Sequence, residues 1–561
     1  MDAIVFGATG FIGRSLVAEL LTRGRRVAAA VRTDTLTPWL VAQGVDTTRL
    51  EIVTADITRP LSGLPEARDV YNTAARFAFG LGLAEARATN VTGALHVLEW
   101  AATLSGLRRL VHISGYRVSA ADGPADPTGL GAYEASKSEA DAAVRARARE
   151  LGVPLTIANP SSVIGPGQYI GLASFVEDLW RGRLPALPGG PDTFLPIVTI
   201  DYFARFLAEV PEGPAGEHYW VLDDSTPLLP DLIRTIAEHI GVRAPHRTVP
   251  VGLLRRLPRT LTGADPETLP FLSSDRYPTA SARAFAASAG LEMPPAADAL
   301  RAWADDLVAA RFGATSPRLR PYGFHDVAGS RTWVSGERHR PAHVLLHGLP
   351  MNADLWAPLA ARLPGPLLAP DLPGLGRSGT TGRSVDAWLA DLMGPVSTRP
   401  VLVAHSAACG PALRFAVDHP DRVSELVLVS PAFLQAPAAR LARSGPAAPM
   451  PRRVSAARLA RTLGVPERAE VESAAADLRR RGVARRVAAA LRTDVAERQQ
   501  SRALLDRIGV PVRIVVGSAD PLVVAVDHPV TEIAGAGHYP QLTHPTRLAH
   551  HLGAGSAPDG G

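Results

Sequence analysis

Ile4-Val-Phe-Gly7-Ala-Thr-Gly10-Phe-Ile-Gly13 runs a short apolar segment straight into three glycines spaced three residues apart. The apolar run Ala3–Phe6 suits a strand buried on both faces, and the residues after Gly10 take up helical periodicity. A glycine turn between strand and helix lets the backbone approach a pyrophosphate closely, and the free N–H groups of the helix N-terminus bind the anion. The stretch therefore predicts a dinucleotide-binding turn, with Gly7, Thr9, Gly10, Phe11, Ile12 and Gly13 as candidate cofactor contacts.

Outward from that turn, apolar runs alternate with helical patterns as far as about Gly313. The candidate strands are Ala3–Phe6, Arg26–Val31, Leu50–Val53, Val70–Tyr71, Leu110–Ile113 and Leu155–Ala158, and Ala296–Arg311 is a closing amphipathic helix. Such alternation predicts α/β architecture, here a Rossmann-type doubly wound parallel sheet. The second strand ends in Val31-Arg32, where an acid would serve the ribose 2′-OH of NAD. Arg32 suits a 2′-phosphate instead, so the expected cofactor is NADP, with NAD the alternative.

The turn-rich stretch 313–321 is the expected linker between domains 1–312 and 322–561. Beyond it the alternation restarts at His343–Leu346, Leu367–Leu368, Pro400–Ala404, Glu425–Val429 and Val512–Val516. A chain of 561 residues is long enough for two to four domains at roughly 100–250 residues each. Its single cysteine, Cys409, excludes a disulfide framework and a cysteine-based zinc site, and no metal is expected. No apolar run approaches the ~20 residues of a membrane span. The first strand follows the N-terminus with no charged leader, so a cytoplasmic protein is expected. A net charge of +5 spread over 561 residues, with no supporting motif, gives no case for nucleic acid. The oligomeric state is not legible.

Of the 59 basic residues, 58 are arginine; the one lysine is Lys137, in Tyr133-Glu-Ala-Ser-Lys137. Positions i and i+4 share a helix face, so the phenol and the ammonium converge. A neighbouring cation favours the phenolate and brings a phenol of pKa near 10 toward the useful range. A proton donor of that kind is what hydride transfer to a carbonyl requires.

With these pieces in order, residues 1–310 resemble the extended short-chain dehydrogenase/reductases, the NAD-dependent epimerase/dehydratase-like group. The match continues through Asp56 in Thr-Ala-Asp-Ile57, Tyr71-Asn-Thr-Ala74-Ala75, Asn90 in Thr-Asn-Val-Thr-Gly, and Asn159-Pro-Ser-Ser-Val-Ile-Gly-Pro-Gly167. The resemblance implies Asp56 and Ile57 at the adenine, Ala74 and Asn90 near the cofactor, Tyr133 as catalytic acid, and Lys137 also on the nicotinamide ribose. Two positions depart from the pattern. The family's third catalytic hydroxyl would fall on Gly115, leaving Ser114 as the candidate substitute, and Asn159 stands where many relatives carry arginine.

In the second half, Val401-Leu-Val-Ala404-His405-Ser406-Ala407-Ala408 delivers a serine from an apolar strand into a turn of small residues. Asp520 follows the strand at Val512–Val516, and His538 lies in Gly535-Ala-Gly-His-Tyr. The order Ser406, Asp520, His538 is that of the α/β-hydrolases, which residues 322–552 resemble. The resemblance implies a catalytic triad of these three, with the N–H groups of Leu349 and Ala407 as oxyanion donors. His347 is expected to brace the oxyanion loop, and His405 and Cys409 to serve packing.

A helical cap is expected at about 432–505; residues 432–500 hold 14 arginines against 6 carboxylates. Such a surface would attract anionic substrates such as acyl-carrier or coenzyme A thioesters. The sequence thus predicts a bifunctional enzyme: an NADP-dependent carbonyl/alcohol oxidoreductase fused to a serine hydrolase of esters, lactones or thioesters of a small metabolite. A non-catalytic NADP(H)-sensing module scaffolding an esterase, or an epimerase/dehydratase-type first half, stays open.

Overall fold

The computed structural model describes residues 1–76, 82–118, 131–254, 271–315, 319–435, 454–490, 495–522 and 528–553. Residues 316–318 of the expected linker, and 436–453 and 491–494 of the expected cap, fall outside them. The chain forms two compact units. One comprises residues 1–176, 184–236 and 244–303; the other comprises residues 177–183, 237–243 and 304–561.

The first unit is built on seven parallel strands: β1 (Ala3–Phe6), β2 (Val27–Val31), β3 (Leu50–Thr54), β4 (Asp69–Asn72), β5 (Arg109–Ile113), β6 (Leu155–Pro160) and β7 (His218–Val221). Their spatial order is β7-β6-β5-β4-β1-β2-β3. The chain winds outward from β1 through β2 and β3, then crosses to β4 on the other side of β1. A crevice therefore opens past the carboxyl ends of β1 and β4, where Phe6 pairs with Asn72. Strands such as Ala3–Phe6 and Val27–Val31 are buried throughout because helices cover both faces. On one face, α1 (Phe11–Thr22) presents Leu16, Val17, Leu20 and Leu21 to the core. On the other, α2 (Ala132–Leu151) buries Val144 and Ala148.

The second unit carries eight strands: β8 (Tyr322–Val327), β9 (Ser330–Gly336), β10 (His343–Leu346), β11 (Leu367–Pro370), β12 (Val401–His405), β13 (Glu425–Val429), β14 (Val512–Gly517) and β15 (Val530–Ile533). They lie in the order β8-β9-β11-β10-β12-β13-β14-β15. The hairpin β8–β9 and its pairing with β11 are antiparallel, and the remaining pairs are parallel. Trp333, Trp356 and Trp388 are among the largest fully buried side chains. Helix α3 (Cys409–Asp418) follows β12 after a short 3₁₀ turn, Ser406–Ala408. Between β13 and β14 the described residues form helices at Ala456–Leu463, Ala469–Leu478 (α4), Val483–Ala490 and Val495–Leu505.

The closing helix expected to reach Arg311 stops at Ala309. Arg311 and Phe312 adopt φ of 48° and 56°, which no right-handed helix accommodates, and the chain leaves through a 3₁₀ turn. Strands β7, β8, β9 and β15 extend the two sheets beyond the runs singled out in the sequence.

Candidate functional sites

In the first unit, the glycine turn is shaped by contacts within the protein. Gly7 has φ of +77°, and a Cβ there would lie 2.6 Å from Cα of Ala74. A Cβ on Gly13 would lie 2.2 Å from the Gly7 carbonyl oxygen. Neither position can carry a side chain without moving backbone. Gly10 is the N-cap of α1 and has no side chain to cap the first N–H groups of the helix. That terminus fits a pyrophosphate group.

The turn opens onto a cavity of about 390 Å³ whose wall includes Gly10, Phe11, Ile12, Ser114, Tyr133 and Lys137. Three candidate catalytic side chains and part of the glycine turn thus share one enclosure. Thr73 and Ala75 reach it from the end of β4, whereas Ala74 packs against Gly7. Thr9 and Arg32 are exposed, and Arg32 contributes to holding the Asp56 carboxyl low. The main cause of that shift is the Thr58 backbone N–H, at 3.0 Å from Asp56 Oδ1. Ile57 is buried against Gly93. Asn90 is buried outside the cavity wall: its Oδ1 accepts from the Arg76 N–H at 2.8 Å and its Nδ2 donates to Ser136 Oγ at 2.9 Å.

Tyr133 and Lys137 lie one turn apart on α2. The ammonium donates to the Ile113 carbonyl at 3.0 Å, and burial pushes its pKa down to about 8, with Asp141 opposing. The phenol departs from the expected electrostatics. Burial, followed by the charge of Glu134, pushes Tyr133 up to about 12, rather than the cation bringing it down. Desolvation dominates, and the Lys137 ammonium is directed to the carbonyl at the end of β5. Ser114 is 4% exposed and its Oγ has no hydrogen-bond partner among the described residues. A buried hydroxyl with no partner among the described residues, on a residue of the wall that also carries Tyr133, is a candidate donor to a ligand oxygen. Asn159 is fully buried and lies outside the wall. Arg117, Glu134, Ser161, Phe271 and Trp303 also line the cavity, and no spacing or motif role marks them as site residues.

In the second unit, Ser406 follows β12 with φ of +53°, a conformation costly for any residue with a Cβ. Gly348 explains the crowding: a Cβ on it would stand 2.8 Å from Cβ of Ser406 and 2.5 Å from Nδ1 of His405. The segment His347-Gly348-Leu349 is thereby laid against the serine. His538 Nε2 lies 3.1 Å from Ser406 Oγ, and His538 Nδ1 lies 2.8 Å from Asp520 Oδ2. The three side chains named from the sequence form one hydrogen-bonded chain, the arrangement that general-base activation of a hydroxyl requires. Burial raises the Asp520 carboxyl, but its bond to His538 and the imidazole charge outweigh that and leave it below the usual carboxylate range.

The surrounding groups hold this chain in place. His347 donates from Nδ1 to the Gly348 carbonyl at 3.0 Å and accepts the Leu372 N–H at Nε2, 2.9 Å away. Burial keeps it neutral, so it braces the loop carrying Leu349. His405 Nε2 lies 2.9 Å from the His538 carbonyl, and burial drives its pKa down to about 3. Tyr539 donates to the Leu349 carbonyl at 2.8 Å, tying the residue after His538 to the loop expected to supply the oxyanion donor. Ala407 lies in the 3₁₀ turn directly after Ser406. Cys409 is buried beneath, with Sγ 3.2 Å from the Ala404 carbonyl.

A buried ionic cluster joins α4 to the segment after Leu349. Asp477 takes a 2.9 Å bond from Arg311 and a 2.6 Å bond from Asn352 Nδ2. Asn352 also donates to Ser473 Oγ at 2.8 Å, and Ser473 donates to Asp354 at 2.5 Å. Asp354 is in turn bonded to Arg377.

Residues 3–181 match the NAD dependent epimerase/dehydratase family, and residues 344–551 match the alpha/beta hydrolase family. The chain carries one domain of each. It is 27% identical over 269 residues to sterol demethylase protein B of Methylococcus capsulatus, spanning 46% of this chain and 79% of that protein. It is 29% identical over 249 residues to the pimeloyl-[acyl-carrier protein] methyl ester esterase of Aromatoleum aromaticum, spanning 38% of this chain and 96% of that protein. Over 271 residues it is 24% identical to the 4-hydroxy-2-methyl-3-oxo-4-farnesyl-3,4-dihydroquinoline-1-oxide ketoreductase of Stigmatella aurantiaca, covering 45% and 76% of the two chains.

Proposed function

We propose that the chain is a bifunctional enzyme, an NADP-dependent carbonyl/alcohol oxidoreductase joined to a serine hydrolase that cleaves an ester, lactone or thioester of a small metabolite. The observation that carries the first activity is the placement of Tyr133, Lys137 and Ser114 on one cavity wall with the open N-terminus of α1. The second rests on the Ser406–His538–Asp520 chain.

In the first domain a nicotinamide dinucleotide, when bound, supplies or takes the hydride. The N–H groups of the first turn of α1 would hold its pyrophosphate, Asp56 and Ile57 would meet its adenine end, and Arg32 would pair with a 2′-phosphate. Lys137 would bond the ribose beside the nicotinamide. Tyr133 passes a proton to the substrate oxygen during reduction, and Ser114 donates a hydrogen bond to that oxygen. A ketoreductase among the relatives supports carbonyl chemistry.

In the second domain His538 takes the proton of Ser406 Oγ as that oxygen attacks the acyl carbonyl. The N–H groups of Leu349 and Ala407 hold the resulting oxyanion, and Asp520 keeps the imidazole oriented. His538 then protonates the leaving alcohol or thiol. Water attacks the acyl-serine in the same manner, and Ser406 is regenerated. An esterase acting on an acyl-carrier substrate among the relatives, together with the arginine-rich stretch 432–500, supports acyl-carrier or coenzyme A thioesters as substrates. Fusion raises the effective concentration of one site near the other, consistent with both acting on one pathway's metabolite.

The full chain is assayed on a panel of acyl esters and thioesters, with and without NADPH, and on a panel of carbonyl compounds. Ser406→Ala is expected to abolish hydrolysis and spare NADPH oxidation, with Tyr133→Phe and Lys137→Arg doing the reverse. Hydrolysis that survives Ser406→Ala, or NADPH oxidation that survives both first-domain variants, overturns the corresponding assignment.

A further inference from the structure

Beyond the catalytic side chains and the glycine turn, the first-domain cavity is walled by Tyr116, Val118, Phe175, Leu195, Phe271 and Trp303. The aromatic rings are packed together: Tyr116 lies 6.3 Å from Phe271 and 5.0 Å from Tyr277, ring centre to ring centre. The Trp220 indole N–H donates to the Tyr116 carbonyl at 2.9 Å and fixes that part of the wall.

Among the described lining residues only Arg117, Glu134 and Lys137 carry charge. Lys137 is committed to the end of β5 and, in the reading above, to the cofactor. Arg117 Nε lies 2.8 Å from Glu134 Oε1, and the two side chains are only 20% and 8% exposed. The guanidinium also stands 5.7 Å from the Phe271 ring centre. Its charge is therefore neutralised inside the wall. An entering carboxylate or diphosphate would have to break this pair, and would then face the Glu134 carboxyl in a largely dehydrated space.

The lining residues also include neutral hydrogen-bonding groups. Besides Ser114, the Ser161 and Tyr116 hydroxyls and the Trp303 indole N–H are buried with no hydrogen-bond partner among the described residues. These are suited to a few uncharged polar atoms on a body that is otherwise hydrocarbon.

We infer that the oxidoreductase site takes a neutral, predominantly apolar carbonyl or alcohol, and that the Arg117–Glu134 pair excludes anionic substrates, nucleotide sugars among them. The inference rests on the oxidoreductase reading proposed above. Glu134 is then a specificity residue: it cancels a cation that would otherwise recruit carboxylates.

Two ketones differing only at the far end, 2-undecanone and 10-oxoundecanoate, separate charge from shape, and UDP-glucose represents the nucleotide sugars. With NADPH and the full chain, kcat/KM for 2-undecanone is expected to exceed that for 10-oxoundecanoate by roughly 100-fold, the size of a few kcal/mol of unpaired-charge penalty. UDP-glucose is expected to be inert. Glu134→Gln leaves Arg117 uncompensated and is expected to narrow the ratio about tenfold by improving the keto acid. Equal or better use of the keto acid or UDP-glucose by the unmodified protein overturns the inference while leaving the oxidoreductase reading intact. If NADPH binds but no ketone is reduced, the oxidoreductase reading falls, and calorimetric titration of the same three compounds into the NADPH-loaded protein decides the ligand class. Preference for 2-undecanone upholds it; preference for an anion, or binding of none, overturns it. The comparison in the unmodified protein stands even if Glu134→Gln fails to fold.

Discussion

Nδ1 of His538 stands 2.8 Å from Oδ2 of Asp520, and that carboxyl lies below the usual carboxylate range although burial pulls it the other way. The carboxyl is therefore ionised at neutral pH and stands as an acceptor beside the imidazole. Asp520→Asn keeps the shape and removes the charge that fixes the imidazole tautomer. Its hydrolytic kcat is expected to fall about 10⁴-fold with little change in melting temperature, measured on a short acyl ester. A loss below about tenfold would exclude Asp520 from the machinery.

Lys137 carries a stability cost that depends on pH. Its folded pKa, about 8, lies below the ordinary 10.5, so between those values the unfolded chain binds more protons and stability rises with pH. At pH 7 the whole penalty is present. Lys137→Met is expected to stabilise the domain by up to about 3 kcal/mol at pH 7, with the gain shrinking as the pH approaches 10. Denaturant unfolding at the two pH values measures it; a destabilised variant at pH 7 would contradict the buried-ammonium account.

Arg32 is exposed at the end of β2 and has no function in the core. Arg32→Glu is expected to weaken NADPH binding about tenfold or more and to improve NADH binding, because a carboxylate repels the 2′-phosphate and accepts from a free 2′-hydroxyl. Fluorescence titration with both nucleotides reads the switch, and unchanged discrimination would point to NAD as the natural partner.

Asp477 faces Arg311 and Asn352 in the buried cluster under α4. Asp477→Ala leaves Arg311 only the more distant Asp354 carboxylate, at 3.8 Å, and a cost of about 3 kcal/mol is expected in urea unfolding. Asn352 lies three residues past Leu349, so the hydrolytic kcat is expected to fall as well. A stable variant with full activity would separate the cluster from the site.

The parts legible in the sequence were those with a strong period or a fixed order. Ala3–Phe6, His343–Leu346 and Glu425–Val429 form strands with the bounds their apolar runs indicate, because each is buried on both faces. Tyr322–Val327 and Ser330–Gly336 gave no comparable signal: they pair antiparallel at a sheet edge, and residues such as His325, Asp326 and Arg331 break the apolar pattern. Within the sites, spacing placed Tyr133 and Lys137 on one helix face, but their ionisation follows from desolvation, which spacing does not encode. The Arg117–Glu134 pair was likewise hidden. It joins the segment after β5 to the first turn of α2, a pairing that no local spacing predicts. Tyr539 adjoins His538, and its neighbourhood was the one clue that it holds the loop of Leu349.

The burial of the chain's one lysine also makes the first-domain cavity chemically addressable. Apart from the terminal amine, an acylating or alkylating reagent selective for amines has a single target in 561 residues, and that target lines the cavity. With a pKa near 8, about half of the Lys137 side chains are free nucleophilic amine at pH 8, yet only 4% of the residue's surface is open to solvent. Modification of Lys137 therefore reports passage of the reagent through the cavity mouth. A cofactor or inhibitor seated there is expected to slow that labelling, giving a footprint of occupancy that needs neither a known substrate nor a turnover assay.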